Sequence, residues 1–400
     1  MSIFVVNVKR GNRKKMSIGD NHDTYYPWIK WTNNSALKVM RMNRLQNHWD
    51  LLNVSIKNGK SNKGLSESDT KGWVKLHRNY FFLKDDKILW LSERSGWHHI
   101  YIHNSNGEKI RQLTSGKWEV KRIIKVDESN NKIFFTANKE SVFETKFYSV
   151  NFDGSNLTLL TNEPGSHSVK ILPNVDAFID SYSSLVSPAK HVLKNMDGDV
   201  INVISETSKS QFDLYDWSYP EIIQFNSSDA TTKLDGIITY PPDYKKGKRY
   251  PVIVHGYGMP GTQIVTNRWG STWNQYLAQQ GYIVACVDGR GTGFKGADFK
   301  KVTYLNLVKY ETEDQIQAAK EIGSLPYIDN SRIGIWGWSF GGHMSTNCLL
   351  KGNKVFKMAI AVAPVTSWRF YDTIYTERFM RTPQENPGGY DDNSPFNYPE

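Results

Sequence analysis

Cysteine is scarce in this chain, which has only Cys286 and Cys348 among 400 residues. Two thiols cannot build the disulfide framework of a small secreted scaffold, and both lie in apolar stretches that predict buried, unpaired side chains. The sequence also shows no apolar run of about 20 residues and no charged-then-apolar leader pattern. These features exclude a disulfide scaffold, predict no membrane span in these residues and leave the cellular compartment open.

A concentrated block of charge is also missing, although the formal net charge is +10. Lysine and arginine are scattered, and the densest basic cluster, at 9–15, is short. This pattern indicates a solvated basic surface, so we expect no nucleic-acid partner. Hydrophobic residues make up 39% of the chain and aromatic residues 13%, which is enough for a sizeable core. A length of 400 residues predicts two domains, or one domain plus a large repeat array.

The first half carries an internal repeat. A strand-like segment that ends in a polar turn with glycine recurs at intervals of 48, 48, 47 and 44 residues, at Gly11, Gly59, Gly107, Gly154 and Gly198. Several short alternating strands fill each interval, which is typical of β-propeller blades. A generic β-meander with coincident turns is the alternative. We predict a partial β-propeller of the seven- or eight-bladed type over residues 1–212.

From about Asp213 onward, apolar strands alternate with helical stretches. The strands are predicted at 236–240, 250–254, 282–287, 332–336 and 358–362, with helices at 272–280 and 314–322, the second one capped by Asp314. Apolar strands separated by helices predict a parallel sheet buried on both faces. We therefore expect an α/β-hydrolase domain over residues 213–400.

The segment Gly337–Gly341 reads Gly-Trp-Ser-Phe-Gly, the pattern of a nucleophile elbow. An apolar strand precedes it and a helix-like stretch follows it, as an exposed serine on a tight strand-to-helix turn requires. Ser339 is the candidate nucleophile for acyl transfer. The backbone N–H of Phe340 and the start of the following helix are placed to stabilise an oxyanion.

Two further features accompany the elbow. The loop that follows Val254 contains Tyr257 among glycines, so its hydroxyl is a candidate second oxyanion donor; an ordinary loop aromatic is the equal alternative. Farther along, aromatic and apolar side chains recur at helical spacing and predict one face of a helix at Val365, Trp368, Tyr371 and Tyr375. That face is either the wall of a small apolar pocket or a plain core stripe.

The partners of the nucleophile are missing from the sequence. In α/β-hydrolases the acid and then the histidine follow the serine, but the one histidine after Ser339 is His343, a single helical turn away. We interpret His343 as a packing residue. The catalytic acid and base are expected beyond Glu400, so the chain is interpreted as a fragment that is inactive by itself.

Four segments together resemble the dipeptidyl peptidase IV family of the prolyl oligopeptidase superfamily. They are the elbow, Val-Asp-Gly-Arg-Gly-Thr-Gly at 287–293, Glu-Asp-Gln-Ile at 313–316, and the run from Ala363 to Arg378. The first half adds Trp-Thr-Asn at 31–33 and Met-Asn-Arg-Leu-Gln-Asn at 42–47. The resemblance implies an eight-bladed propeller above an α/β-hydrolase that is incomplete at its C-terminus here.

The resemblance also implies an activity, the release of X-Pro or X-Ala dipeptides from peptide N-termini through an acyl-enzyme. Ser339 matches the nucleophile, with Tyr257 and the Phe340 amide as the oxyanion hole. The residues matched to substrate binding are Trp338, Val365, Trp368, Tyr371 and Tyr375, of which the last four form the proline pocket. No metal and no cofactor are expected.

Some family features have no match in this sequence. The glutamate pair that clamps the substrate amine is expected upstream of Met1, and Leu76 and His77 stand where the family often has substrate-contacting residues. The resemblance implies a periplasmic, secreted or membrane-anchored protein and a homodimer. Two alternatives remain: another peptidase or esterase of the superfamily, and a non-catalytic interaction protein on the same scaffold.

Overall fold

The computed structural model describes residues 2–19, 22–33 and 36–398. The first half of this part of the chain consists of antiparallel sheets made of consecutive strands. The first sheet pairs β1 (Phe4–Val6) with β2 (Arg13–Lys15), and the second contains β3 (Thr24–Tyr25), β4 (Ile29–Asn33), β5 (Ala36–Asn43), β6 (His48–Ser55) and β7 (Ser61–Ser68). The third contains β8 (Phe81–Phe82), β9 (Ile88–Ser92), β10 (His99–His103) and β11 (Lys109–Gln112). The fourth contains β12 (Val120–Asp127), β13 (Lys132–Ala137), β14 (Lys146–Asn151) and β15 (Thr158–Leu159), and the fifth contains β16 (Ser166–Ile171), β17 (Ala177–Ser184), β18 (Ser187–Asn195) and β19 (Val200–Glu206).

The repeated glycines occupy the same place in every sheet, the turn between its last two strands. All five have a positive φ, between 67° and 97°, which glycine adopts without strain: Gly11, Gly59, Gly107, Gly154 and Gly198. The repeat in the sequence is therefore the outer hairpin of successive sheets.

The same turns bring neighbouring sheets into contact. A β-carbon at Gly59 would lie 2.8 Å from the carbonyl oxygen of Lys15, and one at Gly107 would lie 2.5 Å from that of Gly64. In both cases the contacted residue belongs to the preceding sheet. The sheets thus stack side by side with a fixed period, as the predicted blades require. The number of blades in a complete propeller stays a prediction.

Aromatic side chains fill the space between the sheets. Trp49 of the second sheet packs on Trp90 of the third with ring centroids 4.7 Å apart, and both are fully buried. Phe147 of the fourth sheet packs edge-on against Phe178 of the fifth at 5.0 Å. Burial of such rings is the main stabilising contribution to an arrangement in which each sheet alone is too small to form a core.

The second half folds around one six-stranded sheet. Its order is β20 (Glu221–Asn226), β21 (Lys233–Thr239), β23 (Ile283–Asp288), β22 (Tyr250–His255), β24 (Ile328–Trp338) and β25 (Met358–Val362). The last four in this order run parallel, whereas β20 and β21 are antiparallel to their neighbours. The prediction of an α/β sheet is confirmed, and the expectation that it is wholly parallel is wrong, because short turns rather than helices join the first two strands.

Helices surround this sheet: α1 (Ser210–Asp213), α2 (Thr272–Gln279), α3 (Ala297–Lys301), α4 (Lys309–Gly323), α5 (Phe340–Lys351), α6 (Thr373–Met380) and α7 (Pro387–Asp391). The buried face of α4 includes Ala319 and Ile322, as its periodicity predicts. Asp314 is not the cap of this helix, because α4 begins five residues earlier and the Asp314 carboxylate accepts hydrogen bonds from Arg290 inside the fold. This pair joins two of the motifs on which the resemblance depends.

Buried ion pairs join the propeller-like sheets to the hydrolase-like half. Glu93, which follows β9, pairs with Lys300 of α3, and Lys75 lies 3.7 Å from the same carboxylate. Burial acts to raise the pKa of Glu93, but Lys300 and Lys75 more than compensate and hold it well below its usual range. Burial also lowers the pKa of Lys300, so desolvation offsets part of the attraction within the pair.

The prediction for the two cysteines is confirmed. Cys286 and Cys348 are free thiols and both are buried. Among the described residues, no helix has the length and apolar character needed to cross a membrane.

Candidate active site

The candidate nucleophile lies on a sharp turn between β24 and α5. Ser339 has φ 55° and ψ −112°, a strained conformation for a residue with a side chain. Its backbone N–H donates to the carbonyl oxygen of Val362 on β25, at 2.9 Å, which holds the turn in place. The side chain is half-buried at the carboxyl end of the strand. This geometry is that of a nucleophile elbow.

The glycines of the elbow are required by close packing. A β-carbon at Gly337 would lie 2.5 Å from the carbonyl carbon of Gly341, within the same turn. A β-carbon at Gly341 would overlap the carbonyl oxygen of Gly256, which precedes Tyr257. Strand, turn and helix therefore approach one another more closely than any larger residue permits, and the elbow rests directly on the Tyr257 loop.

Tyr257 lies in the loop that follows β22. Its ring centroid is 6.3 Å from that of Phe340, the residue after the nucleophile. The only hydrogen-bond partner that the described residues offer its hydroxyl is the Met259 Sδ atom at 3.8 Å. Thioether sulfur is a weak acceptor, so the hydroxyl remains able to donate to another group.

The start of α5 provides a second donor. Phe340 is the first residue of the helix, and N–H groups in the first turn have no partner within the helix. The helix dipole adds positive character at this end. The Phe340 amide is therefore a candidate donor to an oxyanion formed next to Ser339.

The four residues predicted as one helical face do not share a helix. Val365 lies in the loop after β25, Trp368 starts a short 3₁₀ helix at Trp368–Phe370, Tyr371 follows it, and Tyr375 lies in the first turn of α6. The spacing is helical in sequence only, because Asp372 caps α6 and breaks the chain direction: its carboxylate accepts from the backbone N–H of Tyr375 at 2.8 Å. The single-helix prediction is wrong.

The three aromatic side chains nevertheless meet in space. Trp368 stacks on Tyr375 with ring centroids 5.8 Å apart, and Tyr371 packs edge-on against both, at 5.7 Å and 5.2 Å. Trp368 is 2% exposed, whereas Tyr371 is 45% exposed. The cluster therefore extends from a buried ring, that of Trp368, to a solvent-exposed ring, that of Tyr371.

This cluster is continuous with the elbow. The Phe340 ring lies 5.7 Å from that of Trp368. Burial raises the pKa of Tyr375, and the neighbouring Tyr257 and Tyr371 raise it further, so Tyr375 stays a neutral phenol. Nucleophile, candidate oxyanion donors and aromatic cluster form one packed unit.

The two remaining predicted substrate-binding residues differ from each other. Val365 is partly buried and packs against the same hydrophobic core as Phe340, Trp368 and Tyr375. Trp338 is 61% exposed and, within the described part of the chain, has no ring contact with the three aromatic residues of the cluster. Side chains alternate along a strand, so Trp338 shares the face of Trp336, whose ring stacks on His255 at 4.2 Å. The structure does not bring Trp338 into the cluster.

The nearest histidine in sequence has another partner. His343 is fully buried, and its Nε2 lies 2.7 Å from the carbonyl oxygen of Asn393. Burial lowers its pKa to about 4, so the ring is neutral at physiological pH. His77 is partly buried, and its Nε2 lies 2.7 Å from the carbonyl oxygen of Leu91. Both rings are packing residues in this fold.

Sequence reasoning missed one acidic side chain near the site. Glu311 in the first turn of α4 is 1% exposed, and neither of its carboxyl oxygens has a hydrogen-bond partner among the described residues. Its Cβ lies 3.6 Å from a β-carbon placed at Gly258, in the Tyr257 loop. Burial raises the pKa of Glu311 well above its usual value, which indicates a neutral carboxylic acid. The sequence pattern could have identified Glu311, because it lies on the buried face of α4.

One acid–histidine cluster lies in the fifth sheet, away from the elbow. It consists of Glu163, His167 and Asp180. The Lys194 ammonium lies 2.7 Å from the Glu163 carboxylate and 3.3 Å from that of Asp180. A side-chain cation already occupies the position that a metal would take, so the cluster is an internal ion-pair network.

Comparison with known proteins extends these observations. Residues 1–189 match the Dipeptidyl peptidase IV (DPP IV) N-terminal region, and residues 269–400 match the Prolyl oligopeptidase family. The first match covers the stacked sheets as far as the start of β18, and the second covers the elbow and the aromatic cluster.

Curated proteins with similar sequences are named as dipeptidyl peptidases or dipeptidyl aminopeptidases. The probable dipeptidyl-aminopeptidase B of Arthroderma benhamiae is 38% identical over 318 residues, which are 78% of this chain and 35% of that protein. The probable dipeptidyl peptidase 4 of Aspergillus flavus is 30% identical over 91% of this chain and 49% of its own length. The chain thus spans less than half the length of these relatives.

A solved structure shows the same fold. The dipeptidyl peptidase 4 of Porphyromonas gingivalis superposes with a TM-score of 0.93 and 35% identity, over 99% of this chain and 57% of that one. Stacked sheets, hydrolase-like sheet and elbow therefore occur together in a known enzyme. The chain belongs to the dipeptidyl peptidase IV family of prolyl oligopeptidase-type peptidases.

Proposed function

We propose that the full-length protein is a serine-type dipeptidyl aminopeptidase that releases X-Pro and X-Ala dipeptides from peptide N-termini. The observation that carries this proposal is the packing of Ser339, Tyr257 and the aromatic cluster into one unit through Phe340. An elbow alone supports any serine hydrolase, whereas the adjoining aromatic cluster supports selection of a small apolar ring.

The proposed reaction proceeds through an acyl-enzyme. Ser339 Oγ attacks the carbonyl carbon of the second substrate residue while its proton passes to a general base. The tetrahedral oxyanion accepts hydrogen bonds from the Phe340 N–H and the Tyr257 hydroxyl. Collapse breaks the C–N bond, the protonated amine leaves, and water then hydrolyses the ester to release the dipeptide and restore the serine.

We propose that the general base lies outside the described side chains. No described histidine is hydrogen-bonded to Ser339, and His343 is engaged with Asn393. We therefore expect the 400-residue polypeptide by itself to lack peptidase activity, because removal of the base costs several orders of magnitude in rate. The proposal concerns the full-length protein.

The aromatic cluster suits proline because the ring is rigid, flat and apolar, and its nitrogen carries no donor once it is in a peptide bond. Trp368 and Tyr375 are stacked on each other, and Tyr371 packs edge-on against Tyr375 at the exposed side of the cluster. We propose that the proline ring binds against these three rings. Alanine fits the same space but buries less apolar area, so we expect it to be accepted less well.

We also propose the domain limits 1–212 for the propeller portion and 213–400 for the peptidase portion. The last strand of the stacked sheets ends at Glu206, and the first strand of the hydrolase-like sheet begins at Glu221. The proposed limit lies between these two strands, within the short helix α1.

The test uses the full-length gene product and a series of p-nitroanilides that differ in one residue. Gly-Pro, Gly-Ala and Gly-Leu substrates measure selectivity at the second position, and N-acetyl-Gly-Pro measures the requirement for a free amine. The proposal predicts kcat/KM in the order Pro, Ala, Leu and little cleavage of the acetylated substrate. Equal cleavage of the acetylated substrate would instead indicate an oligopeptidase, and cleavage of simple esters only would indicate an esterase.

A further inference from the structure

A turn of the second sheet contacts the helix that carries Tyr375. Gln46, between β5 and β6, is fully buried and has φ 54°. Its side-chain N–H donates to the carbonyl oxygen of Ile374, and its Oε1 accepts from Arg378 Nε at 2.8 Å. One amide therefore contacts α6 on both sides of Tyr375.

A second contact from the same turn is an ion pair. The Arg44 guanidinium donates to both carboxylate oxygens of Glu377, at 2.6 Å and 2.7 Å. The Glu377 side chain is almost fully buried, whereas Arg44 is partly exposed. Two parallel bonds fix direction as well as distance, so this pair orients α6 as well as attaching it.

An apolar contact completes the attachment. Trp73, from the segment between β7 and β8, packs edge-on against Phe379 with ring centroids 4.7 Å apart. Phe379 in turn contacts the Tyr375 ring at 5.0 Å. A continuous chain of rings therefore runs from the propeller portion to the aromatic cluster.

The helix depends on these contacts. At eight residues, α6 is too short to be stable as an isolated helix in water. Its own first turn is held by the Asp372 cap, but Ile374 in that turn is exposed. The buried side of α6 meets the propeller portion through the residues described above.

We propose that Arg44 and Gln46 are positioning residues of the aromatic pocket, through which the propeller portion sets the place of Tyr375 and thereby the preference for proline. This inference rests on the proposed function. Neither residue touches substrate; both act through α6. The propeller is then part of the specificity apparatus and not only a cover over the peptidase portion.

The chain offers a matched control. Lys71 and Asp298 also pair across the two portions, at 2.6 Å, but both side chains are exposed and Asp298 lies in α3. Loss of this pair removes an ion pair between the same two portions without touching α6. Any effect specific to the pocket must therefore be absent from Lys71→Met.

The experiment compares full-length wild type with Arg44→Met, Gln46→Met and Lys71→Met. The first readout is hydrogen–deuterium exchange of peptides covering residues 372–380, which does not depend on activity. The second is kcat and KM on Gly-Pro and Gly-Ala p-nitroanilides. For both test variants we expect faster exchange in this segment, KM for Gly-Pro raised about tenfold, kcat within about twofold, and a smaller Pro-to-Ala ratio.

Each outcome distinguishes the two proposals. An inactive wild type refutes the proposed function, while the exchange data still test the attachment of α6. Because Arg44→Met leaves a buried carboxylate unpaired, the double variant Arg44→Met with Glu377→Gln separates positioning from misfolding, and it should show the same loss of proline preference. If exchange in 372–380 or the Pro-to-Ala ratio equals that of Lys71→Met, the inference is wrong.

Discussion

The rings of Tyr257 and Phe340 lie with their centroids 6.3 Å apart, so the candidate oxyanion hydroxyl and the candidate oxyanion amide belong to residues in contact. Beneath them, the backbone of Gly341 packs directly on the carbonyl oxygen of Gly256. The elbow and the loop after β22 therefore form one rigid element. This arrangement and the contacts around it determine how variants of the full-length protein should behave.

Replacement of Tyr257 by phenylalanine removes one hydroxyl and preserves the ring packing. If the hydroxyl donates to the oxyanion only in the transition state, kcat falls by about 10²–10³-fold and KM changes little. Steady-state kinetics on Gly-Pro p-nitroanilide measure this. Tyr276→Phe on the exposed face of α2 is the control. An unchanged kcat in Tyr257→Phe would remove this hydroxyl from the mechanism.

Replacement of Gly341 by alanine places a methyl group against the Gly256 carbonyl. The backbone must shift, so we expect the free energy of unfolding to fall by about 1–3 kcal/mol and activity to fall with it. Gly270→Ala is the matched control, because the nearest atom to a β-carbon there is 4.0 Å away and its φ is not in the left-handed region. Equal stability and activity in the two variants would contradict the packing described here.

Tyr371 forms the open side of the aromatic cluster and is 45% exposed. Tyr371→Ala should therefore cost less than about 1.5 kcal/mol of stability. The same change removes apolar contact with the substrate ring, so we expect KM for Gly-Pro substrates to rise about tenfold. Tyr215→Ala, at a more exposed tyrosine in the hydrolase-like half, should leave KM unchanged. A wild-type KM in Tyr371→Ala would place the proline ring elsewhere.

Glu93 gives the junction between the two halves a dependence on pH. Its pKa in the folded protein lies below the ordinary value of 4.5, so its stabilising contribution is complete above that pH and is lost as the pH falls toward the folded-state pKa. Glu93→Gln leaves the buried ammonium group of Lys300 without its carboxylate partner and should cost about 3–5 kcal/mol at neutral pH. Thermal unfolding between pH 7 and pH 3 measures both effects.

The wild type should lose stability in the acidic part of that range, while Glu93→Gln should start lower and change less. Asp85→Asn, at an exposed pair with Lys87, serves as the control and should follow the wild-type curve. Parallel curves for wild type and Glu93→Gln would show that this carboxylate does not stabilise the junction.

Much of the fold was predictable because local sequence patterns, such as turn glycines and apolar runs, determine it. The turn glycines recur with the period of the sheets, and β25 begins and ends where its apolar run does, at Met358 and Val362. The predictions that were wrong concern residues whose contact partners lie far away in the sequence. The local sequence predicts Asp314 as a helix cap. In the structure its buried carboxylate instead accepts a hydrogen bond from Arg290, which lies in a distant loop. No local pattern contains that information.

The site shows the same division. The elbow at Ser339 follows from strand, turn and helix signals, and its strained φ is the feature that those signals predict. Spacing grouped Trp368, Tyr371 and Tyr375 correctly but assigned them to one helix, because a 3₁₀ helix and a capped helix mimic its period. The contact between α6 and Gln46, which lies more than 300 residues earlier in the chain, could not be predicted from the sequence and is seen only in the structure.

The central claim is that Ser339 is the nucleophile of a proline-directed dipeptidyl peptidase. The most direct measurement compares kcat/KM for Gly-Pro p-nitroanilide between the full-length wild type and Ser339→Ala, with dipeptide release followed by mass spectrometry. We predict release of Gly-Pro by the wild type and a loss of at least about 10⁴-fold in the variant. Dipeptide release by Ser339→Ala at a rate close to that of the wild type would contradict it.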